Sequence, residues 1–271
     1  MEIIEETPLL KFNSNTLEEV RRELNLDRDG IIKMLESFEE WIDKQNHFTV
    51  KTFSRHYLET TIICAKGSLE RAKKTLDKLC TLKTLLPTFF SKHDVKKEFT
   101  DTSKFICTLS PHDYSLGLTW LIDCREVNLL NFISKINILD LRNSMSVLME
   151  GYGLRVNAIH LLSSSKAVDA FVTLLKQVVS QKVGSRIQVH KTLESLYERV
   201  QKEVLPNDYG GQEKSLQEVH ENWVNVLSAP ENVAFFKEIS KACTNEKCRL
   251  IANYNDQILG MPGSFRTLTV D

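Results

Sequence analysis

The chain has 271 residues, 42% of them hydrophobic, and 35 Lys+Arg against 36 Asp+Glu give a formal net charge of -1. That length buries a substantial core in one large domain or two smaller ones. The charge balance excludes nucleic-acid binding driven by bulk charge, and the composition excludes a disordered chain. Ten glycines and six prolines are about half the usual share. Long helices are therefore expected, and an all-β sandwich is not.

The opening Met1-Glu2-Ile3-Ile4-Glu5-Glu6 is acidic and is not read as a signal peptide, which needs a basic start and an apolar core. With no 18-residue apolar run, no spanning helix is expected. Cys64, Cys80, Cys107, Cys124, Cys243 and Cys248 are scattered and are read as reduced thiols of a cytoplasmic protein.

The first hundred residues predict helices. Asn15-Thr16 followed by Glu18 and Glu19 suits a helix start. Ile31, Met34, Leu35, Phe38, Trp41 and Ile42 fall at helical spacing. A further helix is expected over about 50–65, and Ser68 is placed to cap the next, which Pro87 ends. Beyond residue 100 the pattern changes. Apolar runs at 105–109, 118–122, 155–162 and 187–190 predict strands, with helices expected at about 128–150, 166–182 and 192–203. Strands alternating with helices predict an α/β fold with a mainly parallel sheet. The expected layout is an all-helical subdomain over 1–95, an α/β domain over 96–230, and a C-terminal helix and tail over 231–271.

Residues with catalytic or metal-binding potential do not converge. Cys243 to Arg249 has the cysteine-to-arginine spacing of a phosphatase loop but no glycines to wrap an oxyanion; it is read as a polar turn. Cys243, Cys248 and His220 lack the fourth ligand of a structural zinc site. No phosphate loop, nucleophile elbow or zinc-protease motif is present. His93-Asp94 and His112-Asp113 are read as surface pairs. Asp123, closing a strand, is read as a turn-orienting carboxylate, and His160 and His190 as hydrogen-bonded core histidines. No enzyme activity, cofactor or metal is expected. Phe171, Leu174, Leu175 and Val178 form an apolar stripe. By pattern alone it suits either a helix packed on a sheet or a lid over an apolar cavity.

Leu205-Pro206-Asn207-Asp208-Tyr209-Gly210-Gly211 resembles the Leu-Pro-x-Glu-Tyr-Gly-Gly signature of the CRAL-TRIO lipid-binding family, with Asp208 in the glutamate position. Ala158-Ile159-His160 resembles the family's Gly-Ile-His strand. Arg186-Ile187-Gln188-Val189-His190 resembles its Arg-Ile-x-Val-His strand. Gly67 to Lys73, with Thr84-Leu85-Leu86-Pro87, resembles its N-terminal helical module. Four motifs in order across about 50–215 place the chain nearest the insect relatives of the tocopherol-transfer and retinaldehyde-binding members.

The resemblance implies an α/β cavity for one hydrophobic lipid, closed by the 166–182 helix as a movable gate. The ligand classes it implies are retinoid, tocopherol, carotenoid, other terpenoid or phospholipid. The expected lining is Leu118, Trp120, Ile122, Ile159 and Leu161 from the sheet and Phe132, Ile136, Met145 and Leu148 from the 128–150 helix. Phe171, Leu174, Leu175 and Val178 supply the gate. The resemblance also implies an anionic, phosphoinositide-containing membrane as partner, met by Lys74, Arg155, Lys182 and Arg186. Ala65 and Asn157 stand where basic residues are found in the family, which predicts a weak headgroup site. The segment between Pro87 and Gly117 is several tens of residues shorter than the family's. That shortening raises the alternative of a non-enzymatic adaptor or membrane scaffold without a working cavity.

Overall fold

The computed structural model describes residues 15–90 and 117–249. The expected strand at 105–109, His93-Asp94 and His112-Asp113 lie outside these residues.

The N-terminal unit is helical. Helix α1 (Thr16–Glu23) lays Leu17 and Val20 on Ile63. Its Arg21 forms a 2.5 Å ion pair with Glu59, both side chains nearly buried. Helix α2 (Arg28–Asp43) starts where Asp27 Oδ1 accepts the Gly30 amide at 2.6 Å. It buries Ile31, Leu35, Phe38 and Ile42, the 3.6-residue stripe seen in the sequence. Helix α3 (Arg55–Cys64) begins five residues after the expected start, because Ser54 takes the N-cap and accepts the Tyr57 amide. Ser68 caps helix α4 (Leu69–Leu85) through the Arg71 amide, and a short turn, α5 (Pro87–Phe90), follows. Phe38, Leu58, Ile62, Ala72 and Leu76 share one core.

The second unit is built on a parallel three-stranded sheet, β1 (Leu118–Asp123), β2 (Val156–Leu162) and β3 (Ile187–His190), in the order β1-β2-β3 among the described residues. Trp120 pairs with Ile159, Ile122 with Leu161, and Leu162 with His190. Alternation then sorts the side chains onto two faces. Trp120, Ile122, Ile159 and Leu161 belong to one apolar cluster, while Leu121 and Leu162 belong to another.

The expected helix over 128–150 is instead two helices and a π-helical turn. Asn128 caps α6 (Leu129–Lys135), Ile136 turns extended, and Asn137 caps α7 (Ile138–Ser146) by accepting the Leu139 amide at 2.9 Å. Each Asn side chain offers the backbone a local acceptor that competes with helix continuation. The π turn Val147–Gly151 lies against α4. A Cβ on Gly151 would come within 3.2 Å of a Leu82 methyl and 3.3 Å of a Leu79 methyl, so any larger residue here would have to push the α4 leucines aside.

The expected 166–182 helix is α8 (Val168–Val178), which ends at extended Val179 before the Ser180-capped turn α9 (Gln181–Gly184). The expected 192–203 helix is α10 (Leu193–Tyr197) followed by a 3-10 turn at Lys202–Val204. Two further helices, α11 (Leu216–Leu227) and α12 (Pro230–Ser240), lead to a segment that returns to the N-terminal unit. There Lys83 donates to the Ile239 carbonyl, Thr84 Oγ1 accepts the Thr244 amide at 2.8 Å, and the Asn245 amide donates to the His47 carbonyl at 2.7 Å. Arg249 reaches Asp77 with two hydrogen bonds of 2.7 and 2.9 Å. No helix among the described residues is long and apolar enough to cross a membrane.

Candidate functional site

The apolar face of α8 lies on one side of the sheet. Val168, Phe171 and Leu175 are buried against Ile159, Leu161 and Val156, with Trp120, Ile122, Ile136, Val172 and Leu174 at the margin. Eight of the thirteen expected lining or gate residues thus fall in one cluster: Trp120, Ile122, Ile136, Ile159, Leu161, Phe171, Leu174 and Leu175. Phe132 joins them through an edge-on contact with Phe171, ring centres 5.8 Å apart. Leu118, Leu148 and Val178 are half-buried, and Met145 is buried, outside this cluster. For Met145 and Leu148 the broken helix explains the difference, since α6 turns Leu129 and Ile133 inward and the π turn brings Met149. Sequence reading passed over these three; the two capping asparagines were the signal that could have located them.

The outer side of this region is apolar as well. Val127, Phe132 and Ile138 are about two-fifths exposed, and Leu130 and Leu139 are 66% and 58% exposed. Isolated exposed leucines are ordinary; here several exposed apolar side chains fall on two consecutive short helices that both touch α8.

The four basic residues expected at the membrane fall into two kinds. Arg155, half-buried, donates to the Cys64 carbonyl at 3.0 Å and the Ile63 carbonyl at 2.6 Å, satisfying the C-terminal end of α3. Burial lowers its pKa. Arg186, also half-buried, donates to the Val156 carbonyl. Lys74 and Lys182 are exposed.

The signature turn Leu205–Gly211 closes the opposite side of the sheet. Leu205 and Tyr209 are buried with Leu162 and Leu196. Tyr197 donates its hydroxyl to the Tyr209 carbonyl at 2.7 Å, and Asp208 accepts the Leu216 amide at 2.7 Å, tying the turn to the start of α11. Gly210 takes a left-handed φ of 70°. Arg125 sits over the Tyr209 ring, 5.6 Å from its centre, and forks onto Asp123 with a closest bond of 2.7 Å. Partial burial raises the Asp123 pKa; hydrogen bonds and charge from Arg125, with the Tyr209 hydroxyl, outweigh it and leave the carboxyl below its ordinary value. Asp123 orients the turn around it.

His160 and His190 face each other inside the sheet, Nδ1 to Nε2 at 2.8 Å. Cys243 to Cys248 forms a strap ending in a 3-10 turn, and Arg249 is directed at Asp77 and Glu246. Among the described residues no three His, Cys, Asp or Glu side chains are gathered to hold a metal ion.

Two family models match this sequence. The CRAL/TRIO domain model matches residues 89–211, which contain the sheet, α8 and the signature turn. The Pinta-like UBA domain model matches residues 27–100, which contain α2 to α5. Among curated proteins, the chain is similar to the alpha-tocopherol transfer protein-like proteins of Mus musculus and Homo sapiens. The mouse alignment is 25% identical over 130 residues, covering 48% of this chain and 38% of the relative. The human one is 24% identical over 128 residues, covering 47% and 37%. The chain therefore spans less than two-fifths of the length of these relatives.

Proposed function

We propose, since residues 89–211 of this chain match the CRAL/TRIO domain model, that the protein binds one hydrophobic lipid and transfers it between membranes, with α8 as the gate. The observation that carries this reading is the placement of α8: its apolar face closes on the sheet, and the neighbouring α6 and α7 present Leu130 and Leu139 to solvent. A gate with an apolar inner face, hinged beside an apolar outer surface, can exchange the sheet for a bilayer without exposing that face to water. The ligand is a retinoid, tocopherol, carotenoid, other terpenoid or phospholipid. The protein acts without catalysis, in the cytoplasm and at membrane surfaces.

Lipid extraction of the purified protein followed by mass spectrometry tests the binding half, and one apolar molecule per chain is expected. The transfer half is tested at Leu174, which is half-buried; Phe171, at 5% exposure, belongs to the folded core. Leu174→Asp is expected to cut lipid transfer between vesicles at least tenfold while the far-UV circular dichroism stays native. Unchanged transfer by the folded variant would remove α8 from the mechanism.

A second reading is a non-enzymatic adaptor or membrane scaffold. It is favoured by the burial of Phe171 and Leu175 in one apolar cluster with Ile159 and Leu161, residues that the first reading assigns to the lining. A folded protein that yields no apolar ligand and transfers none supports it.

Electrostatic assistance at an anionic membrane falls to the exposed Lys74 and Lys182, because Arg155 and Arg186 are fastened to backbone carbonyls. Each basic residue near an anionic leaflet contributes about 1 kcal/mol. Lys74→Ala with Lys182→Ala is expected to weaken co-sedimentation with phosphoinositide vesicles by roughly thirtyfold at physiological salt. Neutral vesicles should bind both forms equally. The same affinity for anionic vesicles in both forms would assign these lysines to solvent.

A further inference from the structure

With both rings neutral, the His160–His190 pair has one internally consistent proton arrangement. His190 Nδ1 lies 3.0 Å from the Ser195 carbonyl, which only accepts, so His190 Nδ1 carries a proton. In the neutral ring Nε2 is then an acceptor, and His160 Nδ1, 2.8 Å away, must donate to it. The chain of bonds runs His160 Nδ1–H to His190 Nε2, then His190 Nδ1–H to Ser195 O. It joins β2, β3 and α10, and both rings are buried, at 3% and 5% exposure. Next to it lies the apolar cluster of Leu162, Leu196, Leu205 and Tyr209 that seats the signature turn.

We propose that this pair is an acid-sensitive clasp: below neutral pH its protonation loosens the β3–α10 corner and frees the turn 205–211 from the sheet.

The proton taken up goes to His160 Nε2, the ring nitrogen not engaged in this chain of bonds. The imidazolium formed there is nearly sealed from water, and among the described residues no carboxylate is among the groups acting on it. The groups that do act on it are His190 from β3 and Arg199 beyond α10, of which Arg199 is already positive. Its register neighbours, Leu121 on β1 and Gln188 on β3, do not titrate. On α9, Lys182 is exposed to solvent. Burial, then His190, then Arg199 hold the His160 pKa below 6.5. An opened chain therefore binds a proton that the closed one refuses. The closed form is favoured above pH 6.5 and loses ground as pH falls from 6.5 toward the depressed value. One proton difference shifts the opening equilibrium by up to tenfold per pH unit in that window.

The test is amide hydrogen exchange of the full chain at pH 7.0, 6.0 and 5.5, corrected for intrinsic rates. It is read at Ser163, whose amide donates to the His190 carbonyl at 2.9 Å. Opening is expected to rise toward tenfold per unit below pH 6.5. In His160→Gln, whose amide can still donate to His190, that rise should vanish. If the variant does not fold, imidazole NMR of the wild type decides: His160 should protonate below pH 6.5, in step with Ser163 exposure. An equal pH slope in the Gln variant, or His160 titrating at or above 6.5, overturns the proposal.

Discussion

Arg249→Met should lower the free energy of unfolding by about 3–5 kcal/mol, because it leaves a carboxylate buried without its main counter-charge. The side chains of Asp77 and Arg249 are 9% and 6% exposed. Asp77 Oδ1 and Oδ2 accept 2.9 and 2.7 Å bonds from the guanidinium, and Arg249 also bonds Thr81 Oγ1 at 2.8 Å and Glu246. Without Arg249, Asp77 keeps His47 Nε2 at 3.0 Å and Thr81. Neither replaces a two-pronged cation in a buried place. Chemical denaturation measures the loss. Adding Asp77→Leu should recover part of it, since an apolar pair removes both desolvation costs; His47 then lacks its acceptor, which keeps the recovery incomplete. A loss below 1 kcal/mol for Arg249→Met would show the strap to be weakly bound.

Gly211→Ala should be at least as damaging. A Cβ at 211 would lie 1.8 Å from the Leu205 carbonyl oxygen, 2.4 Å from its carbon and 2.7 Å from the Lys202 oxygen. These are backbone atoms, so no rotamer change relieves the overlap; the turn must open. Opening breaks the hydrogen bonds that the Gly211 N–H donates to the Pro206 carbonyl and the Glu213 N–H donates to the Leu205 carbonyl. Leu205 and Tyr209 then lose their place against Leu162. The expected cost is about 4 kcal/mol or more, in the range reserved for severe steric and packing defects. Gly210→Ala is the comparison: a left-handed φ of 70° costs roughly 1–2 kcal/mol for an ordinary residue, and its Cβ would meet only side-chain ends, the nearest being the Tyr197 hydroxyl at 2.9 Å. Near-equal losses from the two substitutions would show that conformation, not the Leu205 contact, fixes the glycine pair.

What the sequence revealed was local. Apolar runs located β1, β2 and β3, and the 171–174–175–178 spacing located the face of α8, because burial imposes periods of 2 and 3.6 on neighbouring residues. Ser68 announced its cap. The break at Ile136-Asn137 escaped because apolar residues continue through it, and a hydrophobic pattern cannot show where an Asn side chain takes over a backbone bond. Arg155 and Arg186 look like headgroup ligands in a linear motif; the sequence does not show that their guanidinium groups also reach carbonyls of α3 and β2. Arg249 was legible only as part of a polar turn. Its partner Asp77 is 172 residues away, and nothing periodic connects them.

That separation also sets a schedule for biosynthesis. Chains elongate at about 5–20 residues per second, so Asp77 leaves the ribosome roughly 10–30 s before Arg249. During that interval the carboxylate of α4, the amine of Lys83 and the carbonyl of His47 have solvent in place of the residues 239–249 that cover them in the finished molecule. Helix α4 is thus completed by a residue translated 172 positions after the one it pairs with. Ribosome-stalled chains cut before residue 239 should expose α4 to protease, and chains extended past 249 and clear of the exit tunnel should not.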